Sequence, residues 1–386
     1  MIGVTMLLAS FAQGVDHPLP REGSPRTATE TSVATEAAAA ALSIERAQQY
    51  LLDTQNPDGS WGTSTVESLF EIEYSNASFY SWKVAGAALA FMAMARVEDP
   101  PRVREAMTRT LEWLLAARPP QRGNDWDIDS NWAHLYCFQA LVEAARDGRF
   151  AQGDLPERVR AGGLAYYDRL EKNQDPLGGW GYYEGAVISR RPTWSTSFAT
   201  ACVIPSLVEA KSIGWPIDAR VTHWAVKYVK RCRLPSGAFE YSLSPIPRFD
   251  GGEHIDDVKG SLSRIQVCNW ALCKAGEGEV SPDWVRQGVE AFFREHKFLF
   301  VARLKPIPHE AYYRNAGYFY YFGHYYAAEM INQLPVEERE GWHARLRTHL
   351  VRTQRTDGSF LDFPGSTYVP VACTAFAIMA LEAGLP

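Results

Sequence analysis

The chain has 386 residues, a formal net charge of −6, and is 46% hydrophobic with 12% aromatic side chains. A net negative balance with no lysine- or arginine-rich face excludes the electrostatic footprint of a nucleic-acid binder. No apolar run reaches the length that spans a bilayer.

Residues 1–42 stand apart. Residues 2–12 are an apolar run about as long as the core of an export signal, with Ser10-Phe11-Ala12 as a small-x-small cleavage site, but no basic residue precedes it. The segment reads either as a signal for export to the periplasm or as the tail of a cytoplasmic protein. Residues 16–43 are rich in Pro, Thr, Ser, Glu and Ala and read as a linker. From residue 43 to 386 the pattern is helical throughout. Helices of an outer type are predicted over 44–55, 103–117, 157–174, 220–233, 284–297 and 342–354. Between them lie six more apolar helical segments, richer in small residues, over 81–96, 131–145, 193–211, 260–275, 323–333 and 370–383. Twelve helices in six pairs can close into a ring, so one large domain replaces the two or three that length alone allows.

One turn recurs along this pattern. It runs Gln55-Asn56-Pro57-Asp58-Gly59-Ser60-Trp61, then Gln174-Asp175-Pro176-Leu177-Gly178-Gly179-Trp180, then Gln354-Arg355-Thr356-Asp357-Gly358-Ser359-Phe360. A weaker copy ends Ser236-Gly237-Ala238-Phe239 and has lost the Gln. The Gly supplies a left-handed turn residue, and the Gln amide pairs with backbone groups left open at a helix end. The motif is therefore punctuation that holds a helix end to its neighbour. The second turn, around 119–126, is long and degenerate. The fifth turn has lost the signature, and an insert over 244–259 precedes the fourth inner helix. A repeat that breaks its own rule marks a functional loop.

These Q-x-x-x-G-x-W/F turns resemble the QW repeats of the prenyltransferase and squalene oxidase repeat superfamily, over roughly residue 43 to the end. The resemblance implies an all-α (α/α)6 toroid whose inner helices surround a central cavity, as in squalene–hopene cyclases. It does not fix the activity, which lives in sites grafted onto a fold. Protein prenyltransferase β subunits of the same superfamily hold zinc through an Asp-x-Cys pair, and that spacing is absent here; neither a metal nor a cofactor is expected.

Polyene cyclisation needs a carboxylic acid kept protonated in a dry pocket. The squalene–hopene cyclase type uses D-x-D-D before an inner helix, with the middle Asp as the acid. Two stretches approximate it: Asp127-Ile128-Asp129-Ser130 and His254-Ile255-Asp256-Asp257. The resemblance makes Asp127, Asp129, His254, Asp256 and Asp257 the candidate catalytic residues. The plainer reading of Asp125, Asp127 and Asp129 is helix capping, and that of residues 254–257 a polar surface insert. Both loops are expected at the end of the ring that carries the QW turns. Trp132, Trp194, Trp270, Tyr318, Tyr321, His324 and Tyr325 are the candidates for lining a cavity, as apolar surface or as π faces toward a cation; packing between helices is the alternative. Three functions stand open: a terpenoid cyclase-like enzyme acting on an isoprenoid, with contact to a membrane surface; a binder of a hydrophobic ligand without catalysis; and an exported carbohydrate-active enzyme. For a polysaccharide lyase, Arg314, Asn315, His324 and Tyr325 are the apt residue types. The six cysteines show no metal spacing and read as buried thiols.

Overall fold

The computed structural model describes residues 30–385 except 98–99, 125–126, 186–191, 244–251 and 279, with the side chains of 30–35 also outside the description. The N-terminal apolar run, Asp125-Trp126 and Asp250-Gly251 thus lie outside the described residues. Among the described residues there are thirteen α-helices and four short 3-10 turns, and β-structure is limited to isolated bridges.

Six helices form the inner ring: α2 (Asn76–Ala95), α4 (Ser130–Arg146), α6 (Ser197–Ser212), α8 (Leu262–Lys274), α11 (Phe319–Ile331) and α13 (Tyr368–Glu382). Each packs on the next in that order, and α13 packs back on α2, so the ring closes. Outside it run α1 (Glu30–Thr54), α3 (Pro101–Ala116), α5 (Leu155–Lys172), α7 (Ala219–Cys232), α9 (Pro282–Arg294) and α12 (Val336–Val351). A short α10 (His296–Phe300) follows α9. The alternation follows from side-chain distribution. Inner helices touch ring neighbours, outer helices and the cavity, and so are buried nearly all round, as α2, α6 and α13 are. Outer helices bury one stripe only; α7 buries Val221, Ala225, Tyr228, Val229 and Cys232.

α1 begins at Glu30, well inside the stretch read as a linker. The five alanines of 37–41 are strong helix formers, and Ala40, Ile44, Ala47 and Leu51 pack into the core.

The three strong turns each clamp one outer helix to the next, α1 to α3, α5 to α7 and α12 to α1. Gln55 Nε2 donates to the carbonyls of Gly59 (3.2 Å) and Ala106 of α3 (3.0 Å), and to Thr110 Oγ1 (2.9 Å). Gln174 Nε2 reaches the Gly178 and Val221 carbonyls, the latter on α7. Gln354 Nε2 reaches Gly358 and Ser43, tying α12 to α1. Gly178 has φ +104°, and a Cβ there would lie 2.4 Å from the Trp224 carbonyl oxygen, so the backbone approach admits no side chain. The Trp61 and Trp180 indoles donate back to Leu51 and Leu170, carbonyls near the end of the helix just finished.

Candidate active site

Five of the inner helices, all but α8, enclose a cavity of about 400 Å³ at the end of the ring that carries the repeated turns. Its wall is aromatic: Trp82 from α2, Trp132 and Tyr136 from α4, Phe198 from α6, Tyr318, Phe319 and Phe322 at the start of α11, and Tyr368 and Phe376 from α13. Trp132 stacks with Tyr136, Tyr182 and Phe198, and Trp82 stacks on Tyr368 at 4.6 Å. Below, Tyr136 meets Phe376, Phe376 meets Tyr325, and Phe322 meets Tyr326, so that Tyr136 and Phe376 floor the cavity. Three carboxylates and one imidazole are set into this wall: Glu71, Asp129, Asp362 and His309.

Asp129 stands where a helix cap would, immediately before α4, but at φ 61° and ψ 18° its side chain makes no capping bond. The left-handed backbone turns the carboxyl away from the helix amides and into the cavity. Such strain persists only where its surroundings hold it. Here Asn131 N and Nδ2 donate to the Tyr182 and Gly181 carbonyls, and Ser130 Oγ accepts from Glu184 N. Ser130 replaces the last Asp of the D-x-D-D pattern, so that position fixes the neighbouring loop. Asp129 Oδ1 accepts from Trp132 Nε1 at 3.2 Å, and Trp82 lies against the same group. Burial pushes its pKa up to about 7, against the pull of those donors, with the nearby Glu71 adding to the rise. At neutral pH a large share of it is the uncharged acid.

The other carboxylates are held differently. Glu71 is buried and takes three donors: Ser366 N (2.7 Å), Ser366 Oγ (2.5 Å) and Tyr368 Oη (2.7 Å). Asp362, 2% exposed, takes Cys373 Sγ at 3.0 Å and Tyr321 N at 3.4 Å. Burial raises its pKa to about 6.

His309 comes from the long fifth connection, 301–318, where Leu304, His309, Tyr313 and Arg314 all have positive φ. Its Nδ1 lies 2.7 Å from the Arg314 carbonyl, so Nδ1 carries the proton and Nε2 accepts from Tyr318 Oη at 2.8 Å. Burial lowers its pKa and favours the neutral ring. Tyr182 Oη is buried beside Tyr318.

Of the candidates named from sequence, Asp129, Trp132 and Tyr318 line this cavity. Asp127 does not. It is 4% exposed, and its carboxylate accepts from Gly123 N, Asn124 N and Asn124 Nδ2, which shapes the turn. The loop 254–257 lies behind the wall. Asp256 accepts from Tyr241 N (2.6 Å) and faces His254 Nδ1 (3.2 Å), while Asp257 accepts from His254 N (3.0 Å). Tyr241 in turn touches Tyr182, so both acidic loops stand at the same end of the ring. Trp194 packs on Tyr182 and Tyr183 outside the cavity wall. Tyr321 bonds Thr353 Oγ1 toward α12, and His324 meets His296 Nε2 at 3.0 Å. Trp270 and Tyr325 line a separate charged depression at the opposite end, among Arg96, Glu143, Glu209 and Lys274. Of the lyase set Arg314, Asn315, His324 and Tyr325, none lines the aromatic cavity.

Glu71, Trp82, Tyr182, Phe198, His309, Asp362, Tyr368 and Phe376 escaped the sequence reading. Two carried a signal. His309 lies in the turn that breaks the repeat, and Asp362 follows the third strong copy just before an inner helix, the setting that singled out Asp129.

No protein-family model matches the chain, and no curated protein does. Solved structures do. A variant of type II terpene cyclase MstE from Scytonema, in complex with its substrate geranylgeranyl dihydroxybenzoate, superposes with a TM-score of 0.53 at 13% identity over 91% of this chain and 99% of its own. A second MstE variant, with the product merosterolic acid A, gives 0.52 at 14% over 91% and 99%. An inactive variant of an α-1,6-mannanase of Salegentibacter, in complex with α-1,6-mannotetrose, gives 0.57 at 12% over 91% and 98%. The chain is thus an (α/α)6 toroid, terpenoid cyclase-like in fold, with an architecture that enzymes of both kinds share.

Proposed function

We propose that the protein is a type II terpene cyclase-like enzyme, in which Asp129 protonates an alkene of an isoprenoid chain folded in the aromatic cavity. The observation that carries this reading is the placement of Asp129: a carboxyl turned off its helix into an apolar chamber, held by two indoles and substantially uncharged at neutral pH. Protonation creates a carbocation, and the faces of Trp132, Tyr136, Phe198, Phe322 and Phe376 stabilise it as successive C–C bonds form. The apolar wall keeps water from quenching the cation. A volume of about 400 Å³ sits low in the range of roughly 300–1,000 Å³ for small-ligand sites, which favours a shorter isoprenoid over a triterpene.

Asp129→Asn, which keeps shape and loses the acid, is expected to bind a geranylgeranylated phenol as wild type does and to form no cyclic product by mass spectrometry. Undiminished cyclisation by this variant would overturn the assignment. Binding without turnover by the wild-type protein would leave a hydrophobic-ligand binder.

A second reading is glycoside hydrolysis, favoured by Asp129 and Asp362 in one cavity as an acid and a base and by the mannanase likeness. Release of reducing sugar from an α-1,6-mannan, lost in Asp129→Asn, would establish it in place of the first.

The mouth also carries a proposal of membrane-surface contact. Val66, Leu69, Phe70 and Ile72 are exposed beside Glu71, and Leu304, Ile307 and Tyr312 are exposed beside His309. These apolar residues flank the cavity from two sides, where a lipid-dissolved substrate would enter.

A further inference from the structure

A protonation-initiated cyclisation ends when the last cation loses a proton, so the chamber needs a base as well as an acid. Three carboxylates face the cavity, and their partners sort them. Asp129 is the acid. Glu71 is tightly held by three donors from Ser366 and Tyr368 at 2.5–2.7 Å. Asp362 is held by longer bonds, a thiol at 3.0 Å and an amide at 3.4 Å, with its own backbone amide beside it, and a carboxylate has roughly four acceptor positions. Its place in the ring is also apt. The inner ring runs α2, α4, α6, α8, α11, α13. Asp129 opens α4, whereas Asp362 rests on Tyr321 of α11 and Cys373 of α13. α11 and α13 are three and two places from α4 in a ring of six, so the two carboxyls stand on different walls of the cavity.

We propose that Asp362 is the base that ends the reaction, taking a proton from the carbon beside the final cation, on a different wall of the cavity from Asp129. This rests on the cyclase reading above. The C–H bond breaks, its electron pair becomes the new C=C bond, and the proton passes to an Asp362 oxygen. Asp129 has meanwhile given one proton to the starting alkene, so the product is an isomer of the substrate and nothing is oxidised or reduced. Solvent then takes the proton from Asp362 and returns one to Asp129. A pKa of about 6 leaves Asp362 mostly ionised at neutral pH while Asp129 remains substantially protonated, the division of labour that an acid–base pair requires. Cys373 does not compete, because burial and the adjacent Asp362 push its thiol well above the usual range. It stays a donor that holds Asp362 in place.

The test is product identity. Wild type, Asp362→Asn, Asp362→Glu and Asp129→Asn are incubated with a geranylgeranylated phenol in D2O, and products are separated by gas chromatography–mass spectrometry. Wild type is expected to give one main alkene carrying one deuterium. Asp362→Asn should consume substrate at no less than about a tenth of the wild-type rate, but yield a mixture of double-bond isomers and alcohols. Asp362→Glu, which keeps the charge and displaces it, should shift the position of the double bond, and it carries the test if the Asn variant does not fold. An unchanged single alkene from Asp362→Asn, or from Asp362→Glu where that variant stands in, would overturn the proposal and move the base to the Tyr318–His309 pair. So would loss of all consumption in a folded, ligand-binding Asp362→Asn, which would place Asp362 at or before the first proton transfer. A wild-type protein inert toward isoprenoids, or an active Asp129→Asn, would sink the cyclase reading itself and this inference with it; that pattern differs from failure of the base alone, where wild type turns over and Asp129→Asn does not.

Discussion

Asp127 and Asp129 are two positions apart and meet opposite environments. Asp127 collects backbone amides and shapes a turn, while Asp129 is rotated by its left-handed backbone into an apolar chamber. A carboxyl whose folded pKa is raised contributes stability below its unfolded value near 4, and that contribution is lost as pH rises through about 7. Asp129→Asn is therefore expected to raise stability at pH 8 by about 1–3 kcal/mol while removing turnover, with no such gain at pH 4; urea melts at the two pH values check it. Wild-type turnover should fall as pH rises past about 7. The buried imidazoles run the other way. His296, His324 and His349 are packed together, with His296 and His349 rings 3.7 Å apart. Burial and neighbouring rings, with Arg345 and Arg352 beside them, depress all three, His324 to about 3 and His349 to about 2. Their neutral forms support the fold above about pH 6.5. That support is lost as pH falls below it, because the unfolded chain then binds more protons. A urea midpoint that drops steeply between pH 6.5 and 4, less so in His324→Leu, is the expected result. The spacing of residues 318–326 marked this helix as aromatic but not which ring faces where. Tyr318 and Phe322, one turn apart, reach the cavity, whereas Tyr321 and His324 lie on the face toward α9, α10 and α12. Depth along the helix was equally illegible: Trp270 and Tyr325 belong to inner helices but to their far ends.

The hairpin element was the most legible part of the chain. The Gln and Gly of each strong copy are determined by local chemistry, a helix end with open carbonyls and a turn with positive φ, and local chemistry is what a sequence carries. What the repeat did not show is which helix the Gln holds; that partner is about 50 residues on in two copies and about 310 residues back in the third. Gln354→Ala removes the bond to Ser43 that joins α12 to α1. It is expected to cost about 1–2 kcal/mol in urea melts, the scale of a buried bond lost with its acceptor left open. Gly178→Ala should cost more, since strain at φ +104° adds to a clash with the α7 backbone. The linker expectation for residues 30–42 failed for a related reason. Alanine-rich sequence resembles a low-complexity tail until a partner is supplied, and here α12 and α13 supply it.

At the scale of the whole molecule, closure of the ring decides the site. Asp129 and Asp362 lie in opposite halves of the chain, and no local pattern pairs them; only the return of α13 onto α2 sets them on one chamber. The same closure gathers the apolar residues of two separate connections around the mouth. If they touch a lipid surface, Leu69→Ser with Ile307→Ser should lower the fraction that sediments with neutral phosphatidylcholine vesicles by several-fold without altering the melt. Equal sedimentation of the variant would remove membrane contact from the functional proposal.

The clamp from Gln354 to Ser43 has one more implication. It makes the sixth hairpin grip the first as the first and third grip their successors, so the fold has a cyclic order and no architectural first member. Alternation puts the start of α1 and the end of α13 on the face away from the mouth. A circular permutant that joins those two ends by a flexible linker and opens the chain at Gln152–Gly153, an exposed stretch between α4 and α5, should therefore fold to the same ring and keep its chamber intact.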